Sequence, residues 1–396
     1  MKTVLLLFAL LSTLFSAEVV ELDKKYVKSQ KCKACHNHLV KDWEESWHYK
    51  SHYKNDEYFR ATIDYISRKT RKSLNSIKVQ CARCHNPRIS VTSTDMSYEI
   101  ETVMNLQTNK EVDNAVNNEN ISEGINCVVC HNIDKIHKDE NESVRGMDRV
   151  EWAESGTMIG PFADAFSPYH KTQKRDFMDE ESNTLCFVCH ANDRSLSGLI
   201  FTNMEKEYAG NVEKCVECHM GPRREDVAAT LKLDHGKSKK RDIRSHKFPG
   251  GHIESFVFGA LTLTLQEEDA DIALTLFNPN PHNIPSGFGS RELLIEVLYK
   301  KGTKVIEKQK LSLTRYFTRK GGRASIPHLA LKASKDTSVP AKGEKVIKVA
   351  KIQKATNVEV RVYYRLVNDE VRALLKLKEP IWSQKSLVTS GSLELK

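Results

Sequence analysis

The ten cysteines of this 396-residue chain form five pairs, each separated by two residues and followed at once by a histidine. The five sequences read CKACH, CARCH, CVVCH, CFVCH and CVECH. The cysteines are Cys32, Cys35, Cys81, Cys84, Cys127, Cys130, Cys186, Cys189, Cys215 and Cys218, and the histidines are His36, His85, His131, His190 and His219. This spacing is typical of covalent haem attachment, and it predicts five haem c groups.

The chemistry of attachment explains the spacing. Two intervening residues place both sulfurs on one side of a helical turn, from which they can reach the two vinyl groups of a porphyrin edge. The next residue then projects its imidazole beneath the iron as an axial ligand. Structural zinc and disulfide bonds are the alternatives for ten cysteines. Neither requires a histidine directly after every second cysteine, so haem is favoured.

The N-terminus has the layout of an export signal. Lys2 precedes an apolar run over residues 4–15, and the small residues Ser16 and Ala17 follow it. We interpret residues 1–17 as a signal peptide, because the run is too short to span a bilayer. No later stretch has the pattern of a membrane span. We therefore expect a periplasmic protein with no membrane span after cleavage.

The remaining chain divides by pattern into two regions. Residues 18–250 carry all five motifs, and about 45 residues for each motif are too few for a protein core of ordinary size. Residues 251–396 contain no cysteine and have several short strand-like runs separated by turn formers. These runs are residues 261–265, 272–277, 293–299 and 358–366. The predicted fold is a mainly α and irregular multihaem cytochrome domain, followed by an all-β sandwich-like domain.

Two shorter segments have local patterns that predict their structure. Leu39, Trp43 and Trp47 recur at four-residue spacing, which predicts one amphipathic helical stripe that packs on haem. Residues 101–123 are polar and rich in asparagine, and we interpret them as a surface excursion between the second and third motifs.

The chain has 15 histidines, so 10 remain outside the motifs. Five of these would suffice to give every iron a second axial imidazole. Two axial imidazoles leave no open position on the iron, which favours electron transfer over substrate chemistry.

Several segments resemble the multihaem cytochromes c related to the tetrahaem electron carrier of ammonia oxidisers. They are Trp43, Ser46 and His48 after CKACH, residues 123–126 (EGIN), Gly160-Pro161 with His170, CVECHMG, residues 246–252 (HKFPGGH) and residues 282–287 (HNIPSG). The resemblance implies that His48, His170, His246 and His282 are distal ligands of the irons. We take His137 as the fifth, with His52 and His252 as alternatives. His38, His235 and His328 are interpreted as ordinary surface histidines.

The predicted function is that of a periplasmic electron carrier, which passes electrons between a quinol-oxidising cytochrome and a terminal reductase. The alternative is a multihaem reductase of a small nitrogen or sulfur compound, which needs one iron with an open position. The pentahaem nitrite reductases carry a CxxCK motif, and no such motif occurs here. The formal net charge of +9 does not indicate a nucleic-acid partner, because each ferric haem with two ionised propionates adds about −1.

Overall fold

The computed structural model describes residues 28–106, 110–138, 144–179, 182–208, 210–230 and 238–396. The predicted signal peptide, residues 1–17, and His235 lie outside the described residues. Helices and short two-stranded ribbons make up the region that carries the motifs, and longer strands dominate the C-terminal region. No helix among the described residues is both long and apolar enough to cross a membrane.

The helices of the described residues are short, and the longest has 14 residues. They are α1 Asn37–Glu44, α2 Trp47–Lys50, α3 Glu57–Thr70, α4 Leu74–His85, α5 Met96–Val103, α6 Lys110–Val116, α7 Cys127–His131, α8 Thr184–His190, α9 Met204–Tyr208, α10 Cys215–His219, α11 Glu254–Val257 and α12 Asp369–Leu375.

The strands fall into two groups by length. The short strands of the motif region are β1 Ile133–Ile136, β2 Val150–Trp152, β3 Thr157–Gly160, β4 Lys171–Lys174, β5 Asp193–Arg194, β6 Ile200–Thr202, β7 Arg224–Val227 and β8 Lys240–Ile243. The C-terminal strands are β9 Thr262–Glu267, β10 Asp271–Phe277, β11 Glu292–Lys301, β12 Lys304–Thr318, β13 Lys332–Asp336, β14 Glu344–Ala350, β15 Asn357–Arg365 and β16 Ser386–Glu394.

The C-terminal strands form two antiparallel sheets. One has the order β14-β10-β9 and the other the order β13-β12-β11-β15-β16. Strand β11 pairs with β12 on one side and with β15 on the other, so it is central. The four predicted strand runs coincide with β9, β10, β11 and β15. The two sheets share one buried apolar cluster, to which Leu274 of the smaller sheet and Ile295 of the larger both belong.

This cluster also includes residues of the motif region. Tyr58, Phe59 and Ile63 lie on the buried face of α3 and belong to the same cluster as the sheets. The Tyr58 hydroxyl lies 2.9 Å from Ser290 Oγ, and both Glu57 carboxylate oxygens accept hydrogen bonds from the backbone after α12. The hydrophobic core therefore crosses the predicted boundary at residue 250.

The structure differs from the predicted helical stripe near the first motif. Leu39 and Trp43 belong to α1, but Trp47 begins a separate helix, α2. The helix is interrupted between them because Ser46 is the N-cap of α2, and its Oγ accepts a hydrogen bond from Tyr49 N. Trp47 packs on Trp382 with 5.5 Å between ring centres.

The segment predicted as a surface excursion is partly helical and partly buried. Within α6, Val112, Ala115 and Val116 face inward at helical spacing and pack with α4 and α5. Asp113 and Asn114 of α6 are exposed, and such polar residues are why composition alone suggested a surface excursion.

Candidate haem-binding sites

The motifs lie at the ends of helices. The helices α4, α7, α8 and α10 each end at a motif histidine, and the first motif lies between a 3-10 turn, Ser29–Lys31, and α1. None of the ten cysteines forms a disulfide bond, and nine of them are partly buried. The backbone thus presents both sulfurs and the imidazole of each motif from about one turn of chain.

Four motif histidines face a second imidazole that comes from a distant part of the chain. His36 faces His170 with 6.5 Å between ring centres, and His48 faces His190 at 6.3 Å. His131 faces His246 at 6.3 Å, and His219 faces His282 at 6.4 Å. The four residues that resemblance implied as distal ligands are therefore each brought opposite a different motif histidine.

These separations fit a metal ion between two rings. If each ring binds through Nε2 at the usual metal–nitrogen distance of about 2.0 Å, the two ring centres lie about 6 Å apart. Two rings stacked in direct contact lie closer, as in the 3.9 Å contact between Phe59 and His85. The space between each pair therefore has the width that an axially ligated iron needs.

The hydrogen bonds of these rings leave the ligating nitrogen available. The Nδ1 atoms of His36, His131 and His219 each lie 2.7 Å from a backbone carbonyl oxygen. Those of His170, His246 and His282 lie 2.9 to 3.2 Å from carbonyl oxygens as well. A carbonyl oxygen only accepts, so Nδ1 carries the proton and Nε2 keeps its lone pair. This is the tautomer that an axial ligand requires.

Burial keeps several of these imidazoles neutral. It lowers the pKa of His48 to about 3, and that of His246 to about 4. The same cause lowers the pKa of His190 to about 4. A neutral imidazole can bind a metal ion, whereas a protonated one cannot.

Local packing positions His48. Trp43 Nε1 donates to the carbonyl of Ile125 at 2.7 Å, which joins α1 to the segment before α7. Gly124 adopts φ +66, and a Cβ atom there would lie 2.6 Å from the His48 carbonyl oxygen. Only glycine allows this approach, and Ile125 N then bonds to the same oxygen at 3.0 Å.

Phe248 contacts two predicted distal ligands, and sequence reasoning did not identify it. Its ring lies 4.5 Å from that of His48 and 5.9 Å from that of His246. Its backbone has φ +47, which is unusual for a bulky residue. The strained backbone holds one aromatic ring between histidines that face two different motifs.

His137, predicted as the fifth distal ligand, lies elsewhere. Its Nε2 is 2.6 Å from Glu151 Oε1, and the side chain is 51% exposed. A carboxylate accepts, so this nitrogen carries a proton and has no lone pair for a metal. The alternatives also have other contacts, since His52 Nδ1 accepts from Lys54 N and His252 stacks on Trp47.

His85 is the exception among the motif histidines. Phe59 stacks on one face of its ring at 3.9 Å, and Ser51 Oγ lies 2.9 Å from its Nδ1. In the described part of the chain, no imidazole pairs with it at the separation seen for the other four. Phe59 and Ser51 thus fix the orientation of the His85 ring.

Thiol contacts link the motifs to one another. Three pairs of cysteines from different motifs lie close enough to alter each other's pKa, namely Cys32 with Cys127, Cys84 with Cys189, and Cys186 with Cys215. Electrostatic repulsion from Cys130 also contributes to the raised pKa values of Cys186 and Cys189. The CFVCH motif on α8 is therefore central, because it touches the second and fifth motifs and lies near the third.

The alternatives to haem find less support in the side-chain arrangement. Among the described residues, no group of three or more histidine, cysteine and acidic side chains is placed to hold a metal ion. A structural zinc site would need four such ligands together.

The sequence matches no protein-family profile and no curated protein. In structure, the chain is similar to the penta-heme cytochrome c552 of Thermochromatium tepidum, with a TM-score of 0.69. The match covers 95% of this chain and 100% of that chain, at 17% sequence identity. The chain therefore shares the fold of that cytochrome over nearly all of its length.

Proposed function

We propose that this protein is a periplasmic c-type cytochrome that binds five haem c groups and transfers electrons. The observation that carries the proposal is the set of four imidazole pairs at 6.3 to 6.5 Å, each containing one motif histidine. Such pairs give low-spin iron with no open position, which suits electron transfer. The fold shared with a penta-heme cytochrome supports the same assignment.

The thiol contacts suggest how electrons would travel. A haem attached to a motif would have one edge beside the two sulfurs of that motif, so motifs that lie close together would hold neighbouring haems. The first motif would exchange electrons with the third, and the third with the fourth. The fourth, on α8, would then connect to both the second and the fifth. The electron path would therefore branch at the haem on His190, with one branch to the second motif and one to the fifth.

The C-terminal region has a direct part in this proposal. His282 lies between β10 and β11 and faces His219 of the fifth motif. Asn278 holds this loop by donating to the His282 carbonyl at 2.8 Å. We propose that the region is a sandwich-like domain that caps the fifth haem. Donors and acceptors would be a quinol-oxidising cytochrome and a terminal reductase.

Replacing a distal ligand tests the assignment. In the purified holoprotein, His282→Ala should convert one low-spin haem to high-spin, because the iron loses its sixth ligand. Electron paramagnetic resonance, calibrated by a pyridine haemochrome count of five, measures this change. His137→Ala is the matched control and should leave the spectrum unchanged. A high-spin signal from the control and none from His282→Ala would contradict the proposed pairs.

A second function is favoured by the environment of His85. Because no imidazole of the described residues forms such a pair with this ring, the haem on Cys81 and Cys84 would be the candidate site for a small nitrogen or sulfur compound. The other four haems would then supply electrons to it. One high-spin haem in the unmodified oxidised protein supports this function, and five low-spin haems contradict it.

A further inference from the structure

The loop that carries His282 is bonded to the motif region as well as to the sheets. It comprises residues 278–291, which connect β10 to β11, and it places His282 opposite His219 of the fifth motif. Four residues after His282, Ser286 Oγ donates a hydrogen bond to the Glu207 carboxylate of α9. The loop is therefore anchored to a helix that lies between the fourth and fifth motifs.

Arg315 of β12 binds the same carboxylate. Its guanidinium forms an ion pair with Glu207, and the two side chains are 14% and 10% exposed respectively. Its Nη1 donates to the Phe201 carbonyl of β6 at 3.0 Å, and its Nε donates to Asp336 Oδ2 of β13 at 2.9 Å. The planar fork of guanidinium donors allows all of these bonds at once. One side chain thus joins β12 to β6, α9 and β13.

A second series of bonds leads from Asp336 back to the same loop. Asp336 Oδ1 accepts from Ser338 N at 3.0 Å and from Ser338 Oγ at 2.6 Å. The next residue, Val339, pairs with Ile284 of the loop through two backbone hydrogen bonds of 2.7 and 2.9 Å. The guanidinium therefore reaches the loop by two routes, which arrive on either side of Pro285.

Burial distinguishes this ion pair from another that touches the loop. Lys342 donates to the Pro279 carbonyl at 2.7 Å and pairs with Glu213, but these two charged side chains are 43% and 34% exposed. Water weakens an exposed pair, whereas the loss of one member of a buried pair leaves the other charge uncompensated. The position of the loop should therefore depend more on Arg315 than on Lys342.

We propose that Arg315 is a positioning residue for the fifth haem: it fixes the loop that presents His282 and so keeps that imidazole on the iron. This inference rests on the proposed function, in which His282 is the distal ligand opposite His219. Arg315 acts through Glu207 and Asp336. Without it, the imidazole would leave the iron more often, which would open the sixth position of one haem and of no other.

Carbon monoxide binding to the reduced holoprotein tests this role. Carbon monoxide needs a free sixth position on ferrous iron, so its affinity reports how often the distal imidazole leaves. Arg315→Ala should raise the affinity of one haem about tenfold or more over its value in the unmodified protein, since hydrogen bonds from a charged group are lost. Arg315→Lys keeps the charge and should restore part of the difference.

A double variant assigns the effect to the fifth haem. His282→Ala removes the distal ligand and should open one haem beyond any that binds carbon monoxide in the unmodified protein. Adding Arg315→Ala to His282→Ala should then change nothing further, because both substitutions act on the same ligand. A further haem that opens in the double variant would place the effect of Arg315 elsewhere and overturn the inference.

Glu296→Gln is the matched control. Glu296 lies in β11 of the same sheet, and its carboxylate is 5% exposed and pairs with Lys308 and Lys385. This variant should leave carbon monoxide binding unchanged. Unchanged binding in Arg315→Ala, with one haem opened in His282→Ala, would overturn the role of Arg315 and leave the proposed function standing. If His282→Ala opens no haem, the proposed pair with His219 is overturned, and the inference with it.

A milder variant separates positioning from a general loss of structure. Ser286→Ala removes only the hydrogen bond to Glu207, so it should raise the carbon monoxide affinity of the same haem by a smaller factor than Arg315→Ala does. It also serves if Arg315→Ala does not fold, and unchanged affinity in Ser286→Ala would then overturn the inference. Raised affinity at several haems of Arg315→Ala would show general loosening and would overturn it as well.

Discussion

The C-terminal sheets and the segment from residue 127 to 250 are stabilised by different means. In β11, Leu293, Ile295 and Val297 are fully buried at alternating positions, and the sheets share one large apolar cluster. The segment 127–250 carries three of the five motifs, yet of its described residues only Phe201 is a buried member of an apolar cluster. Leu199 packs against it but is partly exposed.

Polar contacts hold that segment in place instead. Asn132 Nδ2 donates to the Thr157 carbonyl at 2.8 Å, and Arg149 Nη1 donates to the Phe187 carbonyl at 3.2 Å. Such bonds position the chain but contribute only about 0.5–1.5 kcal/mol each. Burial of apolar surface is the main favourable contribution to folding. Under the proposed function, haem groups attached to the motifs would add to this burial in the segment. One region thus carries its own core, and the other, under the proposed function, would obtain much of its core from haem.

The largest effect should follow from preventing haem attachment. If the full chain is produced without cytochrome c maturation, we expect residues 127–250 to be cleaved rapidly by protease, because their described residues contribute only Phe201 to a buried apolar cluster. Residues 257–396 should remain protected, since their core comes from protein side chains. Limited proteolysis with mass spectrometry measures this, with the holoprotein as control. Equal protection of both segments without haem would contradict the comparison.

The same contrast explains what the sequence could predict. Strands β9, β10, β11 and β15 were recognisable because alternating side chains build their core locally in sequence. The opposed pairs of the haem region join residues far apart, such as His48 with His190 and His131 with His246. The sequence suggested the distal histidines of these pairs only through resemblance. It could not predict which motif histidine each of them faces.

Three residues show why the sequence could not predict every position in this region. His137 lies six residues after a motif, but Glu151 occupies the nitrogen that a metal would need. His328 has no motif around it, and its burial depends on Phe201 and Phe288 from separate elements. Phe248 owes its position to a left-handed backbone that its residue type does not predict. Each depends on tertiary contacts that no local pattern encodes.

A core substitution sharpens the comparison in the C-terminal region. Leu293→Ala in β11 should lower the free energy of unfolding by about 2–5 kcal/mol, because it leaves a cavity where the side chain is fully buried. Urea unfolding of the holoprotein, followed by far-ultraviolet circular dichroism, gives this value. Leu331→Ala is the control, and its 52% exposed side chain should cost less than about 0.5 kcal/mol. Similar losses in both variants would mean that the sheets do not carry a core of their own.

The smallest expected effect concerns an ion pair at the edge of that core. Arg365 is buried and bonds to both Glu292 and Asp369. Its hydrogen bond lowers the pKa of Asp369 from 3.8 to about 2. The folded-state pKa is the lower one, so the pair stabilises the protein above about pH 4 and loses that contribution as pH falls towards 2. Because the carboxylate is 68% exposed, we expect about 1 kcal/mol at most.

Asp369→Asn should therefore lower the urea midpoint at pH 7. At pH 2 the difference in midpoint between the variant and the unmodified protein should be smaller. Glu154→Gln is the matched control in the haem region, where Glu154 forms an exposed pair with Lys171 at 2.6 Å. We expect the control to leave both midpoints unchanged, since neither member of that pair contacts a core. An equal loss from Glu154→Gln at pH 7 would show that surface charge, and not the buried Arg365, accounts for the Asp369 effect.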